Sequence, residues 1–194
     1  MNILITGASG LLGSNLIDMI DSDYNIYTTA RKNFINNRHK KFLSFDLRNQ
    51  SYDKLLIWSD PDVIVHCAAI TNVDYCELNS EEAFLINYES LKKLSNYSSV
   101  GKIIFISSDA VFNGIEINPT EKSKPSPLNI YGITKLKSEQ FLLDKDRNNT
   151  VIRTTIVGNN KNPKASNSLV EWIINSVNKN KKVQLFDDVF FNPI

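Results

Sequence analysis

Tyr131 and Lys135 stand four residues apart in the run Tyr131-Gly-Ile-Thr-Lys135. On a helix that spacing puts phenol and ammonium on one face. A cation beside a phenol lowers its pKa toward neutrality and makes it a usable general acid or base. A second pair, Tyr88 and Lys92, has the same spacing, so spacing alone does not decide. Position does. In an open α/β sheet, groups near helix starts face the crevice at the carboxyl ends of the strands. Tyr88 falls about eight residues into a helix predicted from Ser80, roughly 12 Å from its start. Tyr131 falls in the first turn after Pro125-Ser126-Pro127-Leu128-Asn129, where Asn129 or Ser126 can cap the helix. Tyr131 and Lys135 are therefore the catalytic pair, while Tyr88 and Lys92 read as packing and surface. Ser108 joins them. It closes the predicted strand ending Phe105-Ile106-Ser107-Ser108-Asp109 and can donate to a carbonyl oxygen while Tyr131 supplies the proton. Its plain alternative is a serine turn at a strand end.

Such chemistry needs a redox partner, and the N-terminus supplies a place for one. After a first apolar strand comes Gly7-Ala-Ser-Gly10-Leu11-Leu12-Gly13, a GxxGxxG opening a predicted helix. One glycine permits the strand-to-helix turn, one lets a pyrophosphate approach the backbone, and one lets helix and sheet pack closely. The helix start, with Leu11 and Leu12, points its N–H groups at the phosphates. The plain alternative is a turn with helix-packing glycines. The second strand ends Ala30-Arg31-Lys32, where an acid would hold ribose hydroxyls. Arg31 in that place favours the 2′-phosphate of NADP(H) over NAD(H), against the reading of a solvated cationic pair. Asp46 is placed to accept from the adenine amino group with Leu47 packed on the ring; otherwise Asp46 starts a turn. Ala68, Ala69 and Ile70 follow the fourth strand and leave room for the cofactor at the switch point. His66, inside that strand, reads as a core histidine. Cys67 and Cys76 have no ligand partners at metal spacing, so no metal site is expected.

The elements that must position these groups alternate along the chain. Strands are predicted at Asn2–Thr6, Asn25–Ala30, Lys41–Phe45, Val63–Ala69, Lys102–Ser107, Thr150–Val157 and Val183–Phe186. Helices are predicted at Leu11–Asp21, Tyr52–Trp58, Ser80–Ser98, Asn129–Asp144 and Ser168–Asn178, with Phe84, Ile86, Leu91 and Leu94 on one stripe of the third. That alternation predicts α/β class: a doubly wound parallel (Rossmann) sheet in the order 3-2-1-4-5-6-7. The longest loop, Asn113–Leu128, carries Gly114, Pro119, Pro125 and Pro127, and a loop of that length is usually functional or mobile. The 194 residues, 42% hydrophobic and 22% charged with a net charge of +1, suit a core-forming domain and argue against a basic nucleic-acid binder. No apolar run is long enough for a membrane helix. The start lacks the pattern of a signal peptide, and two cysteines without a CxxC partner make a reduced cytoplasmic setting the default.

Gly7-x-x-Gly10-x-x-Gly13, the Ser108 strand end and Tyr131-x-x-x-Lys135 resemble the extended short-chain dehydrogenase/reductases. Four segments are similar to the branch of dTDP-4-dehydrorhamnose reductase and its sugar-nucleotide-binding relatives. They are Cys67-Ala-Ala-Ile-Thr-Asn-Val-Asp74, Ser107-Ser-Asp-Ala-Val-Phe-Asn-Gly114, Pro127-Leu-Asn-Ile-Tyr-Gly-Ile-Thr-Lys-Leu136 and Arg153-Thr-Thr-Ile-Val157. The resemblance implies NADPH-dependent reduction of the 4-keto group of a dTDP-6-deoxyhexulose, on the way to dTDP-L-rhamnose and cell-surface polysaccharide. It places Ser108 where that branch usually has threonine, and Asp109 and Ile156 on the substrate side. Ala110 replaces the usual tyrosine, Asn113 an aspartate, and Ile156 an aromatic residue; these departures touch the substrate side and not the proton-transfer residues. Two alternatives share the scaffold: an epimerase or dehydratase that recycles its nicotinamide, and a non-catalytic NADP-binding subunit such as the regulatory subunit of methionine adenosyltransferase. A homodimer is compatible with the family. Relatives usually run on by roughly a hundred residues, so residues 1–160 read as the NADP(H)-binding domain. Residues 161–194 then read as the start of a truncated substrate lobe, with an apolar face left open or covered by another chain.

Overall fold

The computed structural model describes every residue except 21–22, 33–40, 49–50, 98–99, 117, 147, 163–167 and 185–194. Strands β1 (Asn2–Thr6), β2 (Asn25–Ala30), β3 (Phe42–Ser44), β4 (Val63–His66), β5 (Lys102–Ile106) and β6 (Thr150–Ile152) form one sheet. Its order is β3-β2-β1-β4-β5-β6 and every pairing is parallel. The order reverses between β1 and β4, and the crevice at their carboxyl ends is where such a sheet binds its ligand. The expected seventh strand is not formed at Val183 and Gln184, and its last two positions lie outside the described residues.

Side chains alternate along each strand and so feed two layers. From β1, Leu4 joins Ile64, Ile103 and Phe105 in a cluster closed by Leu55, Leu56, Leu91, Leu94 and Leu142. Ile3 and Ile5 turn the other way and pack with Ala8 and Ile17. The covering helices are α1 (Leu11–Met19) on one face and, on the other, α2 (Tyr52–Ser59), α5 (Ser90–Ser95) and α6 (Ile130–Lys145). The remaining helices are α3 (Val73–Leu78), α4 (Ser80–Phe84) and α7 (Leu169–Asn178).

Two strands are shorter than their apolar runs. β4 stops at His66 because its partner Thr6 is the last residue of β1, and Cys67–Ile70 leave the ladder. β6 stops at Ile152, opposite the last residue of β5, and Thr154–Gly158 turn away along the crevice. The long helix predicted from Ser80 is continuous to Ser95 and carries a π-helical turn, Leu85–Glu89, at its centre. Tyr88 and Lys92 stay in packing and surface roles there. The Tyr88 ring meets Phe141 edge-on, and Lys92 pairs with Glu89.

Candidate active site

The glycine loop turns tightly because its first residue has a conformation that other side chains resist. Gly7 sits at φ +69°, and a Cβ there would lie 2.7 Å from the Ala68 backbone nitrogen. At Gly13 a Cβ would lie 2.4 Å from the Gly7 carbonyl oxygen, so the third glycine is needed for α1 to pack on the loop. Gly10 is the N-cap of α1. That helix has no acid in its first turn and, unlike α6 and α7, which Asn129 and Ser168 cap, no side-chain cap. The N-terminal N–H groups at Leu11 and Leu12, with the positive dipole end, therefore fit a pyrophosphate.

Across the crevice, α6 is fixed at its start. The Asn129 side chain accepts from the Gly132 backbone at 2.8 Å, and Glu77 accepts from the Ile130 backbone at 2.6 Å. A Cβ at Gly132 would lie 2.2 Å from the Ala110 carbonyl oxygen, so α6 presses directly on the turn that carries Ser108. Ser108 caps that turn, its Oγ accepting from the Ala110 backbone at 3.1 Å and donating to Asp109 Oδ1 at 2.9 Å. The serine turn leaves Ser108 beside Tyr131, where it favours the charged form of the phenol.

The Tyr131–Lys135 pair departs from expectation in one respect. Burial is the largest influence on Tyr131 and raises its pKa; the Ser108 side chain opposes it only in part. The Lys135 ammonium does not pull the phenol down here, because its Nζ turns inward. It donates to the Ile106 carbonyl and lies 4.2 Å from the centre of the Phe105 ring. Burial lowers the Lys135 pKa to about 8. His66 is the core histidine expected. It is 1% exposed, its Nδ1 is 2.8 Å from Thr6 Oγ1, and burial holds it neutral with a pKa near about 3. Burial likewise pushes the Cys67 thiol up to about 12.

Asp109 Oδ2 accepts from Thr155 Oγ1 at 2.6 Å, which joins the ends of β5 and β6. Ile156 is 41% exposed and lines an apolar cleft of about 370 Å³ with Leu11, Leu12, Leu16, Ile106 and Val157. At the opposite end of the crevice, Arg31 is exposed at the tip of β2, near enough to Asp46 to help hold its carboxylate charged. Asp46 starts a turn, accepting from the Arg48 backbone at 3.0 Å, and also receives the Arg48 guanidinium. Leu47 is buried in the main core at 7% exposure rather than standing open beside the crevice. Ala68, Ala69 and Ile70 form the half-buried wall beyond β4.

The model of the RmlD substrate binding domain matches residues 1–194. The chain belongs to that family. A hypothetical dTDP-4-dehydrorhamnose reductase from Sulfolobus tokodaii superposes with a TM-score of 0.74 at 34% identity, over 84% of this chain and 58% of that one. The dTDP-4-dehydrorhamnose reductase of Bacillus anthracis, solved in complex with NADP, gives 0.75 at 28% identity, over 91% and 59%. Subunit beta of methionine adenosyltransferase 2 from Xenopus laevis is 34% identical over 79% of this chain and 46% of its own length. The chain thus spans about half to three fifths of these proteins. Its sheet with flanking helices is the Rossmann-like fold of that group.

Within this RmlD-family chain several site residues carry no motif of their own. Asn87, at the centre of the π turn, binds both backbone groups of Ile70, at 2.8 and 3.1 Å, and reaches Thr134 on α6 at 3.1 Å. Glu139, 2% exposed and one turn past Lys135, pairs with Arg153 at 2.7 Å. The Arg153 guanidinium lies 5.0 Å from the Phe112 ring, so it ties α6, the β6 exit and the Ser108 turn together. Arg153 and Thr155 lie in the segment Arg153-Thr-Thr-Ile-Val157, but that segment does not disclose their partners Glu139 and Asp109; Asn87 carries no such signal. Among the described residues, no helix is long and apolar enough to cross a membrane.

Proposed function

We propose that the chain is the cofactor-binding part of an NADPH-dependent reductase acting on the 4-keto group of a nucleotide-activated 6-deoxyhexose. The observation that supports this reading is the Ser108 turn packed against the start of the helix that carries Tyr131 and Lys135, facing an uncapped glycine-loop helix. The similarity to dTDP-4-dehydrorhamnose reductases supports the substrate class. NADPH, when bound, supplies the hydride for the carbonyl carbon. Ser108 donates a hydrogen bond to the carbonyl oxygen and Tyr131 delivers the proton to it. Lys135, swung from Ile106 toward the ribose and phenol, holds the phenol's charge as it develops. Gly7, Gly10, Leu11, Leu12 and Gly13 hold the pyrophosphate, Arg31 the 2′-phosphate, Asp46 the adenine, and Ala68, Ala69 and Ile70 the central wall. Asp109 and Ile156 face the sugar.

The test is NADPH oxidation followed at 340 nm with a panel of nucleotide 4-keto-6-deoxy sugars, dTDP-linked first. Tyr131→Phe is expected to lose about 10²–10⁴-fold in rate while still binding NADPH. Normal turnover by that variant overturns the assigned mechanism. The methionine adenosyltransferase subunit beta relatives support a second reading, a non-catalytic NADP-binding subunit. Cofactor binding without turnover of any keto sugar, together with co-purification of a larger catalytic partner, selects it.

A further inference from the structure

Asp46 lies just beyond β3, at the end of the crevice away from the catalytic helix. Its carboxylate is not loose. The Arg48 backbone N–H and Nε reach Oδ1, each at 3.0 Å; Nε also reaches Oδ2 at 3.1 Å, and Nη2 closes the fork on Oδ2. Arg48 is in turn tethered elsewhere. Its Nη1 donates to Glu82 Oε1 at 3.2 Å, and Glu82 Oε2 accepts from the Tyr75 hydroxyl at 2.6 Å. The chain Asp46–Arg48–Glu82–Tyr75 therefore runs from the sheet edge to α4 and α3. Its ion pairs are solvent-accessible, with side-chain exposures of 47% for Arg48, 35% for Asp46 and 27% for Glu82. Exposed pairs of this kind contribute little to folding stability. What a planar fork with a second anchor does achieve is a single carboxylate orientation.

We infer that Arg48 is a positioning residue for base recognition: it holds the Asp46 carboxylate so that it accepts from the exocyclic amino group of the cofactor's adenine. The inference rests on the reading of Asp46 as the adenine contact. The chemistry is selective. A fixed, charged acceptor rewards the amino group at that position of the purine and repels a carbonyl oxygen in its place. The Arg48 hydrogen bonds, helped by Arg31, hold the Asp46 carboxyl below its ordinary value, so it stays an acceptor at mildly acidic pH. Arg48, without touching the base, thereby sets how strongly adenine is preferred over hypoxanthine.

The experiment measures binding of NADPH and of its hypoxanthine analogue by nucleotide fluorescence, with no turnover required. Wild type is expected to prefer NADPH by about tenfold, the worth of one hydrogen bond to a charged group. Arg48→Met is expected to bring that preference to within about twofold of unity, by weakening NADPH and relieving the repulsion of the analogue. Asp46→Ala is expected to do the same. If Arg48→Met weakens both nucleotides equally, Arg48 acts on phosphate or on overall charge, and the inference falls while the adenine reading stands. If wild type shows no preference, or Asp46→Ala keeps it, the adenine reading itself falls. A melting curve for each variant confirms that these accessible substitutions leave the fold in place.

Discussion

Lys135 sits in an environment unusual for a lysine. A lysine 3% exposed, with its Nζ on a strand-end carbonyl, has a pKa of about 8 against an ordinary 10.5. The unfolded chain therefore binds a proton there that the folded chain releases once the pH passes 8. Stability attributable to this site is lowest below pH 8, where a charged ammonium is buried. It rises with pH above that, by up to about 1.4 kcal/mol per pH unit. Above pH 9 the buried Cys67 thiol, raised to about 12, works in the opposite direction. The clean window is pH 8 to 9. Urea melts across it should show wild type gaining stability relative to Lys135→Met, and parallel curves for the two proteins would refute the buried, depressed lysine. The phenol of Tyr131 stays raised chiefly by burial, which the inward lysine does not offset.

At the scale of elements, the site is held by contacts between secondary structures that are distant in sequence. α6 is capped by Asn129 and by Glu77 from α3, and it is tied to the β6 exit through Glu139 and Arg153. A carboxylate 2% exposed is costly to leave without its cation. Arg153→Met should cost about 3–5 kcal/mol, at the low end because Arg153 itself keeps partial exposure. Replacing both partners, with Glu139→Leu added, should return the denaturation midpoint to near wild type, because a well-packed apolar pair removes the desolvation penalty along with the attraction. A double variant no more stable than the single one would show that the pair's hydrogen bonds, and not the stranded charge, carry the energy. The π turn around Asn87 belongs to the same scale. It widens one turn of a helix that stays continuous, and it delivers one amide side chain to both backbone groups of Ile70.

For the whole molecule, the crevice has a charged end and an apolar end. Arg31 and the Asp46–Arg48 pair occupy the first; Ile156, Val157 and the α1 leucines line the second. Exposed Ile152, Ile156 and Val157, and along α7 Leu169, Ile173, Ile174 and Val177, keep much apolar surface open near that second end. Ligand linkage offers a direct check on the polarity of the crevice. At a hundredfold excess over its Kd, NADPH should stabilise the chain by about 2.7 kcal/mol. NADH at the same concentration should stabilise it less, because Arg31 then lacks the 2′-phosphate to pair with. Equal shifts in a thermal melt would remove Arg31 from the cofactor assignment.

The sequence by itself determined the alternation of strands and helices, hence a parallel doubly wound sheet. It also determined the glycine loop and the helix-start position that separated Tyr131 from Tyr88. These are local matters, written in periodicity, in glycines where no Cβ fits, and in the distance from a helix start. Strand ends were overrun at β4 and β6, because a strand stops where its neighbour's ladder stops and not where its apolar residues do. α3 went unread because six residues are too few to show a period, although Asn72 caps it at 2.7 Å from the Tyr75 nitrogen. Only the tertiary structure decided that Thr155 binds Asp109, that Asn87 binds Ile70, that Leu47 lies in the core, and that Lys135 rests on Ile106. Each depends on which groups the folded chain brings within hydrogen-bond reach or shields from water. Partners 46 and 29 residues apart along the chain leave no trace in local spacing.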